Sequence, residues 1–560
     1  MVTRRSTPSD FKPYRYHPVA DAFDAIVIGS GIGGLATAAL LARFGGRKVL
    51  VLERHYTPGG FTHVFRRPGY EWDVGVHYLG NLRPGSMLRA VFDVIGDGAI
   101  EWADMGEVYD RVVIGGDRYD FPKGRENFRA AMKAHFPGEE AAIDAYLATL
   151  REALSGLNGF MAAKVLPGAI GALAAPLLGR KTLGWATRTT REVLEGLTRN
   201  QRLIAVLTGQ FGDFGLPPSR SSFLVHAMVA NHYLDGGYYP VGGSGVFVDA
   251  IAPVIKAAAG RLLINAEVAG IVVEGDAAVG VRMARDGAVI RAPVVISDAG
   301  VINTFGRLLP HDVARRHRLE KALAAVRPSV AHLCLYVGFR ESARALRLPR
   351  HNIWVYRDED HDRGFAAAGG EPDAARVPVF ISFPSAKDPD FERRHPGRAT
   401  VDVVALAPYA WFERWQDTHW KDRGEEYEAF KNELAQQMLE RLYEQLPQLR
   451  GKVDRYELST PLTTRHFCNY AQGEIYGIAH SPERFRQRFL RPATPIRGLY
   501  LTGQDIVSCG VGGALMAGVL TASAILRRNL LPAIRQSAPR PAKDERKADA
   551  ALSATGRARA

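Results

Sequence analysis

Three glycines spaced as G-x-G-x-x-G, namely Gly29, Gly31 and Gly34, are followed by a carboxylate, Glu53, at the offset of about 20 residues that suits a ribose hydroxyl. The first glycine permits a tight turn, the second lets the backbone approach a pyrophosphate, and the third lets a helix pack closely on a strand. An anion there rests on the N-terminus of the helix, where unpaired N–H groups and the positive dipole end attract it. This is the chemistry of an adenine dinucleotide pocket. Glu53 would repel a 2′-phosphate, which disfavours NADP, but these residues alone do not separate FAD from NAD. Near the other end, GLYLTGQDIVSCGVGGAL (Gly498–Leu515) offers Asp505 as an acceptor for hydroxyls and Gly510, Gly512 and Gly513 at a helix start. It reads either as another phosphate or polyol site or as a tightly packed helix.

The elements that must hold these residues follow from the apolar runs. Ala25–Ile28 and Lys48–Leu52 read as buried parallel strands, Leu262–Ile264 as a third, and Leu499–Thr502 as a fourth. Between Val268 and Ser297, turn signals at Glu274-Gly275-Asp276 and Asp286-Gly287 separate β-branched runs, predicting strands that extend a doubly wound sheet. Residues from about 86 to 235 read as mixed and mainly helical. In 301–490, Tyr427, Phe430, Leu434, Met438 and Leu442 share one helix face and read as core.

At 560 residues the chain exceeds a single core. The expected division is a basic arm (1–20), nucleotide-binding segments at 21–85, 236–300 and 491–531, a substrate or membrane-facing segment (86–235), a substrate domain (301–490) and a tail (532–560). The composition, 46% hydrophobic and 23% charged, is that of a globular protein, and part of the net charge of +13 lies in the two ends. Both ends read as disordered, serving either solubility or attraction to anionic lipid. No aromatic-interleaved basic motif suggests nucleic-acid binding. Cys334, Cys468 and Cys509 form no close pair, so neither a disulfide framework nor a metal site is expected, which fits a reducing cytoplasm. The first twenty residues lack the apolar stretch of a secretory signal. The uncharged run Val165–Gly179, bracketed by Lys164, Arg180 and Lys181, would span roughly 22 Å as a helix, too short for a hydrocarbon core of about 30 Å. It reads equally as a buried helix pair or as a surface dipping into one leaflet, giving peripheral membrane association.

LERHYTPGGFTHVFRRPGYEWDVGVHYLG (Leu52–Gly80), YYPVGGSGVFVDAI, INAEVAGIVVEGDAAVGV, PLTTRHFCNYAQGEIYGIAH (Pro461–His480) and GLYLTGQDIVSCGVGGAL together resemble the FAD-dependent oxidoreductases of the phytoene desaturase and carotenoid isomerase superfamily, and within it the retinol saturases. The resemblance covers all but the tails. It implies an α/β fold: a Rossmann-like FAD-binding domain of the glutathione-reductase and amine-oxidase type, built from discontinuous segments, with an inserted α+β substrate domain. It also implies that Gly29, Gly31 and Gly34 hold the FAD pyrophosphate, with Gly33 and Arg54 in the same site, and that Glu53 holds the adenosine ribose. Gly59 and Gly60 correspond to a second glycine pair near the dinucleotide, with Phe61 where related flavoproteins often carry a basic residue. Val268 is similar to the residue contacting adenine by its backbone. Asp505 resembles the acid at the ribityl or pyrophosphate end, with Gly512 and Gly513 bringing the last helix to the isoalloxazine.

A flavin so held exchanges a hydride at N5 with a substrate carbon while a proton leaves or joins the neighbouring carbon. The residues point to no direction, saturation or desaturation. Candidate polar groups near it are Asp73, His77, Tyr78, Tyr238, Tyr239, Tyr476 and His480. His77 is a candidate proton donor or acceptor, or a structural histidine beside the cofactor. Tyr239 and Tyr476 are candidates to line a substrate channel or simply to pack. The substrate implied is lipophilic: a carotenoid, a retinoid or an unsaturated fatty acyl chain. No second dinucleotide fingerprint identifies the electron partner, leaving NAD(P)H, quinone and oxygen open. A flavin-containing amine oxidase and a non-catalytic lipid-binding escort module are the alternatives on the same architecture.

Overall fold

The computed structural model describes residues 11–539 except Pro18, Ala20 and Pro167. Six parallel strands form the first sheet in the order Lys12–Pro13, Arg261–Ile264, Val49–Leu52, Ala25–Ile28, Val295–Ser297, Leu499–Leu501. The two middle strands, Val49–Leu52 and Ala25–Ile28, are apolar throughout because both faces are covered. Val27, Val49 and Val51 pack under the helices Ile32–Gly45, Val246–Ala257 and Gly510–Leu526. Ile26, Ile28, Leu50 and Leu52 pack on the opposite side beneath Val268, Ile271, Ala278 and Val281.

Those last residues belong to an antiparallel sheet of Val268–Glu274, Ala277–Met283 and Val289–Arg291. The hairpins expected from the turn signals are present, but they layer on the parallel sheet instead of extending it. Only Val295–Ser297 from that block joins it, its edge being completed by Leu499–Leu501.

The second large sheet is mixed and has seven strands, in the order Val453–Ser459, His332–Phe339, Ala399–Leu406, Val379–Ser382, Asn352–Tyr356, Val108–Ile114, Asp117–Pro122. Two of its strands come from the stretch 86–235, read as mainly helical, and the other five from 301–490. Its outer face packs on the helix Glu425–Gln445, where Leu434, Met438 and Leu442 are buried as their spacing predicts. Its inner face turns to the cavity and to the helices of 125–233.

Both ends need correction. Lys12–Pro13 pairs with Leu263–Ile264 and Tyr14 is buried, its hydroxyl donating to Asp286, so the arm from residue 11 is an edge strand of the sheet. At the other end Leu531–Ser537 is helical and Ile534 is buried among the nucleotide-domain helices. Apolar residues too few to mark a core by pattern gain burial by docking on one already formed. Residues 1–10 and 540–560 of the expected arm and tail lie outside the described residues.

The short apolar run lies mostly in the first part of the helix Gly168–Ala186, which packs against the preceding helix Leu157–Val165 as a pair. Lys164 is not one of its flanking surface cations: its Nζ donates to the carbonyls of Leu490 (2.8 Å) and Ile506 (2.7 Å). Leu177 is 80% exposed, beside Arg180 and Lys181. Among the described residues no single helix is long and apolar enough to cross a membrane.

Candidate functional site

A single cavity runs from the glycine turn at the carboxyl end of the parallel sheet to the inner face of the second sheet. At its first end, Gly29 (φ +96°) turns the chain out of Ala25–Ile28, and Gly31 precedes the helix with no side-chain cap. A Cβ on Gly33 would stand 2.7 Å from the Gly503 backbone, and one on Gly34 2.6 Å from the Gly29 carbonyl. The backbone is therefore bare where a pyrophosphate would meet it, which is the fit a dinucleotide requires.

Glu53 is buried at the end of Val49–Leu52. It accepts from Ser30 N–H (3.0 Å), Ser30 Oγ (2.6 Å) and His55 N–H (2.7 Å), which orients its carboxylate toward the cavity. Arg54 also lines the cavity, its guanidinium donating to the His466 carbonyl at 2.8 Å. Gly60 (φ +55°) packs against Gly31, where a Cβ would lie 3.0 Å from the Gly31 Cα; Gly59 donates its N–H to Ser30 Oγ at 3.0 Å. Val268 lines the same end with Ala266 and Glu267.

Asp505 lines the cavity and also ties distant segments together, accepting from Val301 N–H (2.8 Å) and Ile478 N–H (3.0 Å). The final helix contributes Gly510, Val511 and Ala514 to the wall. Gly512 and Gly513 are not part of it; a Cβ on Gly513 would collide with Ser508 instead. Gly513 thus serves close packing of the helix start, while a Cβ on Gly512 would meet only ordinary contacts.

Asp298 was missed by the sequence reading. Its carboxyl lies against the turn, where a Cβ on Gly31 would be 2.5 Å from Oδ2, and it lines the cavity. Burial pushes its pKa up to about 8; the N–H groups of Gly34 and Gly31 oppose that, and the nearby Glu53 and Asp505 carboxylates add to it. As a neutral acid it can donate to a phosphate oxygen. The signal was its place directly after a parallel strand, Val295–Ser297, since ligands of such sheets bind outside the carboxyl ends of the strands.

The far end of the cavity is read from the strand registers. Cys334, Val404, Phe380 and Trp354 form a row across four strands of the second sheet, and all four line the cavity. The next row, Tyr336, Asp402, Ser382, Asn352 and Asp110, is polar and buried. Lys387 reaches into it from the short helix Pro384–Lys387, donating to Ser382 Oγ (2.7 Å), to Asn352 Oδ1 and to the His77 carbonyl (2.8 Å). Burial lowers its pKa to about 7, while the Asp110, Asp402 and Asp73 carboxylates oppose the shift.

His77 stands in the cavity wall, its ring edge-on to Phe380 with centroids 5.2 Å apart. Burial, with Lys387 nearby, lowers its pKa to about 3, so the imidazole is neutral. Tyr476 also lines the cavity and donates to the Gly212 carbonyl at 2.8 Å. Tyr239 does not reach the cavity lining. The pairing of Tyr238–Pro240 with Trp102–Asp104 buries it, and its hydroxyl donates to Asp73, which Ser244 also binds through N–H (2.8 Å) and Oγ (2.7 Å). Tyr78 Oη lies 2.8 Å from Asp110 and 3.1 Å from Asp213, and His480 Nε2 accepts from Cys509 N–H at 2.9 Å. These last groups brace the wall. Among the described residues no cluster suits a metal ion.

The family model described as flavin containing amine oxidoreductase matches residues 32–526, from the helix that follows the glycine turn through the second sheet to the helix Gly510–Leu526. The chain belongs to that family. This flavin oxidoreductase is 37% identical to the all-trans-retinol 13,14-reductase of Danio rerio over 91% of this chain and 87% of that one, placing it on the retinol-saturase-like side of the family. It is 27% identical to prolycopene isomerase 2 of an Oncidium hybrid over 89% and 82% of the two chains. An oxidoreductase from Methanosarcina mazei shares the fold, with a TM-score of 0.60 at 16% identity, over 90% of this chain and all of that one.

In the flavin oxidoreductase the groups that sequence reasoning missed are Asp298 at the cofactor end and His332, Cys334, Trp354, Phe380, Lys387 and Asp402 beyond it. The alternation along the second sheet's strands could have assigned His332, Cys334, Trp354, Phe380 and Asp402 to a common face, but not that this face borders a cavity.

Proposed function

We propose that this protein is an FAD-dependent oxidoreductase that saturates or desaturates a carbon–carbon bond of a lipophilic substrate, a retinoid- or carotenoid-like polyene or an unsaturated acyl chain. The observation that carries this reading is the continuity of one cavity from a bare glycine turn to a wall of Phe380, Trp354, Val404, Leu406, Tyr356 and Tyr476. FAD, when bound, supplies hydride exchange at its N5. The chain supplies the rest: Gly29, Gly31, Gly33 and Gly34 give the pyrophosphate its backbone surface, Glu53 binds a ribose, and Val268 borders the adenine. The aromatic wall excludes water and holds the chain of the substrate, while His77 gives or takes the proton.

The similarity to proteins named for retinol reduction and prolycopene isomerisation supports a polyene over an amine. Peripheral membrane contact through the exposed Leu177 and its neighbouring cations belongs to the same reading, because the substrate resides in lipid. The purified protein is expected to be yellow and to release FAD on denaturation. With chemically reduced enzyme under anaerobic conditions, a polyene alcohol should reoxidise the flavin and lose one double bond by mass spectrometry. A colourless protein would leave the escort reading, and peroxide release with amines alone would leave the amine oxidase. Flotation with anionic liposomes checks the membrane contact.

A further inference from the structure

His77 Nδ1 lies 3.5 Å from Asp402 Oδ2, and neither that nitrogen nor either Asp402 oxygen has a hydrogen-bond partner among the described residues, although all are buried. A buried carboxyl without donors is an expensive anion. The neighbouring carboxyls differ: Asp110 is met by Asn352, Tyr78 and Gln210, and Asp73 by Ser244 and Tyr239. The groups facing the pair from the surrounding elements are Lys387, Asp73, His332, Cys334 and Tyr336, with Asp110 beyond Lys387.

We propose that Asp402 is the positioning residue and proton reservoir for His77, and that the Lys387 ammonium is the cation that lets Asp402 change charge. Asp402 carries its proton as a neutral acid directed at Nδ1 of a neutral His77. That fixes the imidazole as the Nε2–H tautomer and leaves Nε2 for the cavity. In the reducing direction the Nε2–H bond breaks as a C–H bond forms on the substrate. The Asp402 O–H bond breaks as Nδ1–H forms, and the hydride completing the reduction is that of a dihydroflavin. The carboxylate left behind is stabilised by Lys387, whose three donors are held by the His77 carbonyl, Ser382 and Asn352. In the oxidising direction each transfer reverses. Burial works in the same sense, raising the Asp402 acid well above its usual range and lowering the His77 imidazolium.

This inference rests on the proposed carbon–carbon redox reading, and its test separates the two. The holoprotein is labelled with ¹⁵N-histidine, and the His77 signals are assigned by their loss in His77→Gln. Wild type should show one Nε2–H tautomer, Asp402→Asn should keep it because an amide still donates to Nδ1, and Asp402→Leu should release it into a mixture. Unchanged His77 shifts in Asp402→Leu would overturn the pairing whether or not any lipid is turned over. In turnover, Asp402→Asn should retain flavin and KM and lose kcat by about 100-fold, the lower end of proton-transfer contributions. The His77→Gln/Asp402→Asn double variant should lose no more than the worse single, as expected of groups acting as a unit. An Asp402→Asn kcat within threefold of wild type, or additive losses, would equally sink the proposal.

Discussion

At Glu53 three donors, Ser30 N–H, Ser30 Oγ and His55 N–H, converge on one carboxylate. Glu53→Ala removes the carboxylate proposed to bind the ribose and leaves two backbone N–H groups buried without a partner. Hydrogen bonds to charged groups contribute about 1.5–3 kcal/mol, so the dissociation constant for FAD should rise at least about tenfold, as read by flavin fluorescence titration of apoprotein. Asp298→Asn should behave differently. Its amide replaces a neutral donor with a neutral donor, and FAD affinity is expected to stay within about threefold, a net difference below one hydrogen bond. If Asp298 were instead a required anion, Asn would weaken binding as severely as Glu53→Ala does.

At the scale of elements, the two helices that carry the cofactor turns touch through Gly518, where a Cβ would stand 2.7 Å from the Ala36 Cβ and 2.9 Å from the Gly33 carbonyl. Gly518→Val forces the helices apart and shifts the glycine turn with them. Overpacking of this kind costs about 1–3 kcal/mol, so the thermal midpoint and FAD retention should fall together, whereas Gly512→Ala, whose Cβ meets only ordinary contacts at 3.5 Å and beyond, should change neither. The strand Ala25–Ile28 and the helix face of Leu434, Met438 and Leu442 were legible in sequence because local periodicity and burial agree there. The strands Val108–Ile114 and Asp117–Pro122 were not, because the hairpin they form joins the sheet only where Val108–Ile114 pairs with Asn352–Tyr356, more than two hundred residues away. The same holds for Lys12–Pro13, whose only reason to be extended is the exposed edge of Arg261–Ile264.

For the whole molecule, burial of histidines sets the response to acid. His226 and His77 are held down to about 3 and His55, His63, His232, His332 and His361 to about 4, all by desolvation first. Between their unfolded value of 6.5 and about 4, the unfolded chain binds these protons and the folded one does not, so stability falls as pH falls. Asp73, Asp298 and Asp110, raised by burial to about 7, about 8 and about 6, and Asp213 and Asp402, raised well above the usual carboxylate range, have the opposite sign: the folded state holds protons that the unfolded state releases, which adds stability as pH drops toward 4. The histidines outnumber the raised carboxyls, so the thermal midpoint should decline from pH 6.5 to 4.5 in melts followed by circular dichroism. A midpoint that rises over that range would mean the buried acids dominate.

The sequence by itself determined an adenine-dinucleotide pocket and the class of fold, since a glycine turn, a carboxylate at fixed offset and fully apolar strands are demands that neighbouring residues meet locally. It also singled out His77, which lines the cavity. Only the tertiary structure decided what surrounds His77. Asp402 lies more than three hundred residues further along the chain, and Lys387 nearly as far. They reach it because antiparallel register stacks one polar row beside an apolar one on a single sheet face. Such juxtapositions leave no local periodicity, because pairing across strands is paid for by burial of the whole sheet and not by any segment of it.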